Sequence, residues 1–156
     1  MNPKPKTPPK KSTEERRKSL AQLLKNKGIE IYEDLEKGKF PSFSVPSRSV
    51  SNIVYDTKLR QYVLGSGVAL RSSRNMSQLR SFTQLMWLAF FANRLVNEKK
   101  SSTLRDIYYS SQAFEVDFED QPESDNIIID LEAVLTRPRE DLHIFPEERS
   151  SVFGDL

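Results

Sequence analysis

The sequence predicts a mainly helical α+β fold, and three observations carry that prediction. The stretch 77–96 keeps helical spacing through Leu79, Phe82, Leu85, Met86, Ala89, Phe90 and Val96. Trp87, Leu88 and Phe91 make its middle apolar nearly all round, as expected of a central, buried helix. Two β-rich runs, 52–56 and 61–64, flank a four-residue break, which is a hairpin pattern. A series of short helical stretches, each with its own start or stop residue, fills most of the remainder. A chain of 156 residues is long enough for one domain with a modest core.

Residues 1–11 form a Pro/Lys tail that cannot build a core and is expected to be disordered, either solubilising the chain or binding phosphate non-specifically. Ser12-Thr13-Glu14-Glu15 has capping-box spacing, and Leu20, Leu23 and Leu24 supply one apolar edge, so a helix is expected over about 13–25. Gly28 is placed to interrupt or cap it, with the helical pattern resuming over 29–36 until Gly38 stops it. Residues 12–40 thus form an N-terminal helical segment, and 41–156 the main domain. Pro41 and Pro46 bracket an extended segment, and the hairpin 52–56/61–64 follows. Gly65-Ser66-Gly67 lets the chain bend into a third extended piece, 68–71. No Lys-Ser/Thr follows those glycines, so they are a bend rather than a phosphate cradle. The aromatic residues of 77–96 are core rather than base-stacking platforms, with Arg80 and Arg94 outside the apolar middle.

Ser101-Ser102-Thr103 precedes an apolar-periodic run and is a helix N-cap signal, giving a short helix over 104–110. Arg105 and Tyr109 lie four residues apart on one face of it. Tyr108 is rotated away by about 100°, the turn per residue of an α-helix. A cation beside an exposed phenol can serve phosphate chemistry, although a packed tyrosine and a solvated arginine give the same pattern. The acidic run 114–123 lacks EF-hand spacing and is expected to be a solvated loop. Ser124-Asp125 then starts a helix with Ile127, Ile128, Leu131, Val134 and Leu135 on its apolar face, and Thr136-Arg137 ends it. Pro138 opens a further short helix over 139–143, a helix-turn-helix pattern. Residues 145–149 and 151–154 have the form of a small β-hairpin. That order makes a winged helix-turn-helix of the CAP-like kind, with Arg137 and Arg139 at the start of the groove-approaching helix and Arg149 in the wing, where phosphate contacts set affinity and register.

Composition narrows the chemistry. With no cysteine and one histidine, His143, thiolate metal sites, disulfides, His cages and most Ser-His machinery are excluded. The N-terminus lacks the apolar segment of a secretory signal, and the apolar run from Leu85 to Ala92 is too short to span a bilayer, so a soluble intracellular protein without a membrane partner is expected. A net charge of +2 conceals strong segregation. Residues 1–28 carry nine basic side chains against two acidic ones, 58–105 carry nine against Glu98 alone, and from Phe114 onward thirteen acids face three arginines. The basic part calls for a polyanion partner.

Several blocks, in order, also carry a resemblance. Pro46-Ser47-Arg48-Ser49 with Ser51-Asn52-Ile53, then Thr103-Leu104-Arg105-Asp106-Ile107-Tyr108-Tyr109, then Asp125 to Glu132 and Arg139 to Ile144, resemble the A-subunit of DNA topoisomerase VI and the meiotic break-forming proteins related to it. The likeness covers roughly residue 30 to the end. It implies a type IIB topoisomerase in which Tyr109 attacks a DNA phosphodiester, leaving a 5′-phosphotyrosyl link, while Arg105 assists at the scissile phosphate. It further implies double-stranded DNA, the ATPase B-subunit with its ATP, a second copy of the A-subunit in an A2B2 assembly, and Mg²⁺. The location implied is the cytoplasm of an archaeal-type cell or a eukaryotic nucleus. A phenol ionises near pH 10, so positive charge nearby helps form the nucleophile, and a divalent ion usually stabilises the leaving oxygen. The family's metal-binding Toprim domain would begin beyond Leu156, so this chain is expected to lack it. Toprim would then come from a separate polypeptide if the protein is split, and the chain alone is expected to bind DNA weakly without cutting it. Ser150-Ser151 stands where many relatives have a wing glycine. A non-catalytic winged-helix DNA-binding module is the alternative.

Overall fold

The fold is that of a computed structural model, described over residues 13–147. Helix α1, Thr13–Glu36, is continuous. Gly28 neither interrupts nor caps it, contrary to expectation, because its backbone stays out of the left-handed region and its missing side chain faces open space. Gly38 is the stop, with φ +67°. Its N–H donates to Leu35 O, and the Lys39 N–H to Asp34 O, so the last orphan carbonyls are satisfied in a Schellman arrangement.

Strand β1, Ser42–Pro46, pairs antiparallel with β4, Val68–Ser72, so the two extended pieces seen in the sequence meet each other. A 3₁₀ turn at Val50–Asn52 leads into β2, Ile53–Asp56, which pairs with β3, Gln61–Leu64, in a separate hairpin. The Gly65-Ser66-Gly67 bend is fixed by Asn52, whose Oδ1 accepts from Gly67 N–H and whose Nδ2 donates to Ser47 O. A Cβ at Gly65 or Gly67 would lie 2.7 or 2.6 Å from Asn52 Oδ1, so the glycines admit that clamp.

Helix α2, Met76–Glu98, is the central element. Its Leu85, Leu88, Ala92 and Val96 are inaccessible, and Leu20, Leu24 and Ile31 of α1 belong to the same core. Burying each such leucine, isoleucine or valine stabilises by roughly 1.5–3 kcal/mol. Strand β5, Ser102–Thr103, is followed by α3, Leu104–Gln112, and then α4, Gln121–Leu135. Helix α4 begins before the expected Ser124-Asp125: Asp120 Oδ1 accepts from Glu123 N–H and Pro122 sits in the first turn, where a missing N–H costs nothing. Over 114–120 the acidic run is the exposed, irregular loop expected, with Glu115, Asp117, Glu119 and Asp120 all exposed, but it is tethered to the core and turns helical from Gln121. Arg80 bonds Glu119 and Glu123 at 3.0 Å each, buried Gln84 donates to Asp117 O, and Phe118 is buried against Trp87.

Residues 139–143 also differ from expectation. Those residues form tight turns, not the expected helix. Arg139 is tied through its backbone N–H and guanidinium to Glu132, and His143 lies at φ +62°. Ile144–Phe145 is then drawn into strand β6, parallel to β5, so a helix has no room to propagate. The architecture is mixed helix and small sheets. The expected tail 1–11, Ser12, and the 151–154 strand of the second hairpin lie outside the described residues.

Candidate functional site

Helix α3 is short, and its position is set at both ends. Thr103 Oγ1 accepts from Asp106 N–H at 3.1 Å, and Asp106 Oδ2 accepts from Thr103 N–H at 3.2 Å, a reciprocal capping box. Ile107 and Ser111, four apart, are both fully buried, which fixes the rotation of the helix against the core. Leu104 and Tyr108 pack half-buried beside them. Arg105 and Tyr109 therefore share the opposite, solvent-facing side. Tyr109 is 58% exposed. Its hydroxyl has no hydrogen-bond partner among the described residues, and its ring centre lies 5.4 Å from that of Tyr108.

Arg105 Nε approaches Glu147 Oε1 at 3.0 Å. The alignment is not that of a hydrogen bond, since Glu147 Oε1 has no such partner, so this is a charge contact between a largely exposed cation and a half-buried acid. Contacts of this exposure contribute about 0–1 kcal/mol and exchange readily for another anion. Beside it, Asp125 Oδ1 is buried without a hydrogen-bond partner. Burial raises the Asp125 carboxyl above its ordinary range and Glu147 adds to the rise, against the opposing pull of Arg139.

The other arginines fare differently. Arg139 is engaged by Glu132 through Nε, Nη2 and its own backbone N–H. Arg137 lies 4.0 Å from Asp141 and is half-buried. Neither begins a helix, and Arg149 lies outside the described residues. Three groupings escaped the sequence reading. Buried Asp130 bonds Arg48 at 2.5 Å and Arg71 at 2.9 Å, joining α4 to β4 and to the segment after β1. Asp130 sits within the apolar stripe of its helix, between Ile127 and Val134, and a carboxylate on that stripe was the readable signal. The Asn52 clamp and the Arg80–Gln84 hold on the acidic run left no local pattern. Among the described residues no three His, Asp or Glu groups converge as a metal site.

Residues 80–144, which contain all of α3 and α4 and most of α2, match the family model for type IIB DNA topoisomerases. The chain is 43% identical over 142 residues to the A-subunit of type 2 DNA topoisomerase 6 from Methanothermobacter thermautotrophicus, covering 90% of this chain and 40% of that protein. The chain belongs to the topoisomerase VI A-subunit family. The corresponding protein of Pyrococcus abyssi is 38% identical over 85% of the chain and 36% of its own length. That of Haloarcula marismortui is 35% identical over 92% and 39%. This topoisomerase VI A-type chain spans about two-fifths of the length of the relatives it matches. No helix of the described residues is long and apolar enough to cross a membrane.

Proposed function

We propose that this chain is the nucleophile-bearing, DNA-binding part of a type IIB topoisomerase. The observation that carries the reading is the side of α3 turned to solvent: an unpartnered Tyr109 hydroxyl one helical turn beyond Arg105, inside the matched region. Tyr108, half-buried on the core, is the weaker nucleophile by access alone. In the proposed reaction the Tyr109 oxygen loses its proton and bonds to phosphorus. The bond from phosphorus to the 3′-oxygen breaks, that oxygen takes up a proton, and a 5′-phosphotyrosyl link holds the strand end. Reversal reseals the strand without an external energy source for the bond itself. Arg105 exchanges Glu147 for the scissile phosphate and stabilises its developing charge.

The order α2, β5, α3, α4, β6 supports a winged-helix reading in which α3 and α4 form the helix pair, one element earlier than the sequence suggested. Arg137 and Arg149 are the proposed backbone contacts of that module, and Arg139 holds the turn between them through Glu132. The Mg²⁺ that the family resemblance implies does not fit the described residues of this chain, and its place, like that of ATP on a B-subunit, lies elsewhere in the proposed assembly with a second copy of the A-subunit. Replacing Tyr109 by Phe and assaying covalent protein–DNA adduct in a reconstituted complex tests the reading. A non-catalytic binding module would be indifferent to that change.

A further inference from the structure

The β2–β3 hairpin carries more exposed apolar surface than its own packing uses. Among the described residues it pairs with no other strand, and none of its eight strand residues is buried. Cross-strand pairs Ile53–Leu64 and Tyr55–Tyr62 make one face wholly apolar, with the two tyrosine rings edge-on at 5.3 Å. Tyr62 is 75% exposed, and Leu59, at the tip, 61%. The cross-strand pairs help hold a ribbon that is marginal in water, yet they leave a contiguous apolar face open to solvent, the kind of patch that marks a contact surface.

The tip supplies the charge. Lys58 and Arg60 flank Leu59, both exposed, and neither has an acidic partner among the described residues. The one carboxylate of the hairpin, Asp56, uses Oδ1 to accept the N–H groups of Lys58 and Leu59 at 2.7 and 3.0 Å, which builds the turn. Among the described residues Arg48, Arg71, Arg80, Arg94, Arg105 and Arg139 face acids, whereas Arg16 and Arg74, like the hairpin cations, do not. The hairpin is thus a projecting ribbon whose tip is positive and apolar at once. A second copy would set like charges against each other, and an acidic peptide would leave the tyrosine face unused. A duplex groove satisfies both features: phosphates line its edges, and thymine methyls and sugar faces offer apolar contact among the polar base edges. Its major groove, about 12 Å wide, admits a two-stranded ribbon, and apolar tips are known to wedge into duplexes.

We propose that the β2–β3 hairpin is a DNA-contacting arm, with Lys58 and Arg60 on backbone phosphates and Leu59 and Tyr62 against the groove. The proposal rests on the reading of this chain as a DNA-binding protein. It adds a contact surface separate in sequence from Tyr109, Arg105 and the arginines of 137–149.

The test is fluorescence anisotropy of the 156-residue chain on a labelled duplex of about 30 base pairs between about 0.05 and 0.3 M KCl, where each released phosphate contact changes the logarithmic salt slope by about 0.9. The variants are Lys58→Gln with Arg60→Asn, since asparagine tolerates the φ of +53° found at Arg60, and separately Leu59→Ser. Thermal unfolding alongside confirms that both stay folded. The double variant is expected to weaken binding on the order of tenfold per cation at about 0.1 M salt and to flatten the slope by about 1.8. Leu59→Ser is expected to weaken binding with the slope unchanged. Wild-type affinity and slope in both variants overturn the arm. If the variants bind DNA normally but lose association with a topoisomerase VI B-subunit, the hairpin is a protein contact and the proposal also fails. Absence of duplex binding by the unmutated chain is a different result, and it removes the DNA-binding reading itself.

Discussion

Asp130→Asn tests the internal bracing of the fold. Asp130 is 2% exposed and accepts from Arg48 Nη2 at 2.5 Å and Arg71 Nε at 2.9 Å. Hydrogen bonds to charged groups contribute about 1.5–3 kcal/mol each, so the gross loss is about 3–6 kcal/mol. Two effects offset it. The arginine side chains are 33% and 29% exposed and can turn back to water, and the buried carboxylate is relieved of its own desolvation. A net destabilisation of about 2 kcal/mol remains, equivalent to a fall of roughly 4–8 °C in the unfolding midpoint for a domain of this size. Calorimetry of the chain and of Asp130→Asn measures it, and Arg48→Gln alone and combined gives the coupling. Because the carboxylate is buried, the loss should persist in about 0.5 M salt, where exposed pairs are screened out. A midpoint shift under about 1 °C, or additive single variants, refutes the claim that this triad joins the helix to the β1–β4 ribbon.

Two further outcomes follow from the site. Thr103→Ala removes one side of the capping box on α3 and should cost about 1 kcal/mol in urea unfolding, with faster hydrogen exchange at the Asp106 amide. Unchanged exchange there contradicts the assigned cap. Asp125 has a raised carboxyl pKa, so the folded chain holds that proton more tightly than the unfolded one, and stability falls as pH rises from the unfolded pKa through the folded one. Asp125→Asn should therefore stabilise the chain at neutral pH and change little below about pH 4, near the ordinary aspartate value, and a constant difference across pH counts against burial as the cause.

Long-period features were legible in the sequence, and features set by distant partners were not. The central helix, the β2–β3 hairpin, the bend at 65–67 and the short helix carrying Tyr109 follow from apolar spacing and local turn residues, and all four stand in the fold. Gly28 misled because glycine is only permissive: without a left-handed demand at that position, α1 continues through it. The 139–143 stretch misled because Pro138 signals a helix start, whereas Glu132 and the β5–β6 pairing hold the backbone in turns. The acidic run is the exposed loop its composition suggests, but its tethers leave no local signal because Arg80 and Gln84 lie more than thirty residues earlier on α2. At the candidate site, helical phase put Arg105 and Tyr109 on one face, but only the burial of Ile107 and Ser111 shows that this face is the open one.

The measurement closest to the central claim is the chemistry of Tyr109. The chain, reconstituted with a topoisomerase VI B-subunit, Mg²⁺, ATP and a Toprim polypeptide, is incubated with supercoiled DNA and trapped with detergent. The expected result is protein attached to 5′ DNA ends through the peptide containing Tyr109, lost in Tyr109→Phe while duplex binding persists. Adduct that survives Tyr109→Phe at wild-type yield, or that maps to Tyr108, contradicts the assignment.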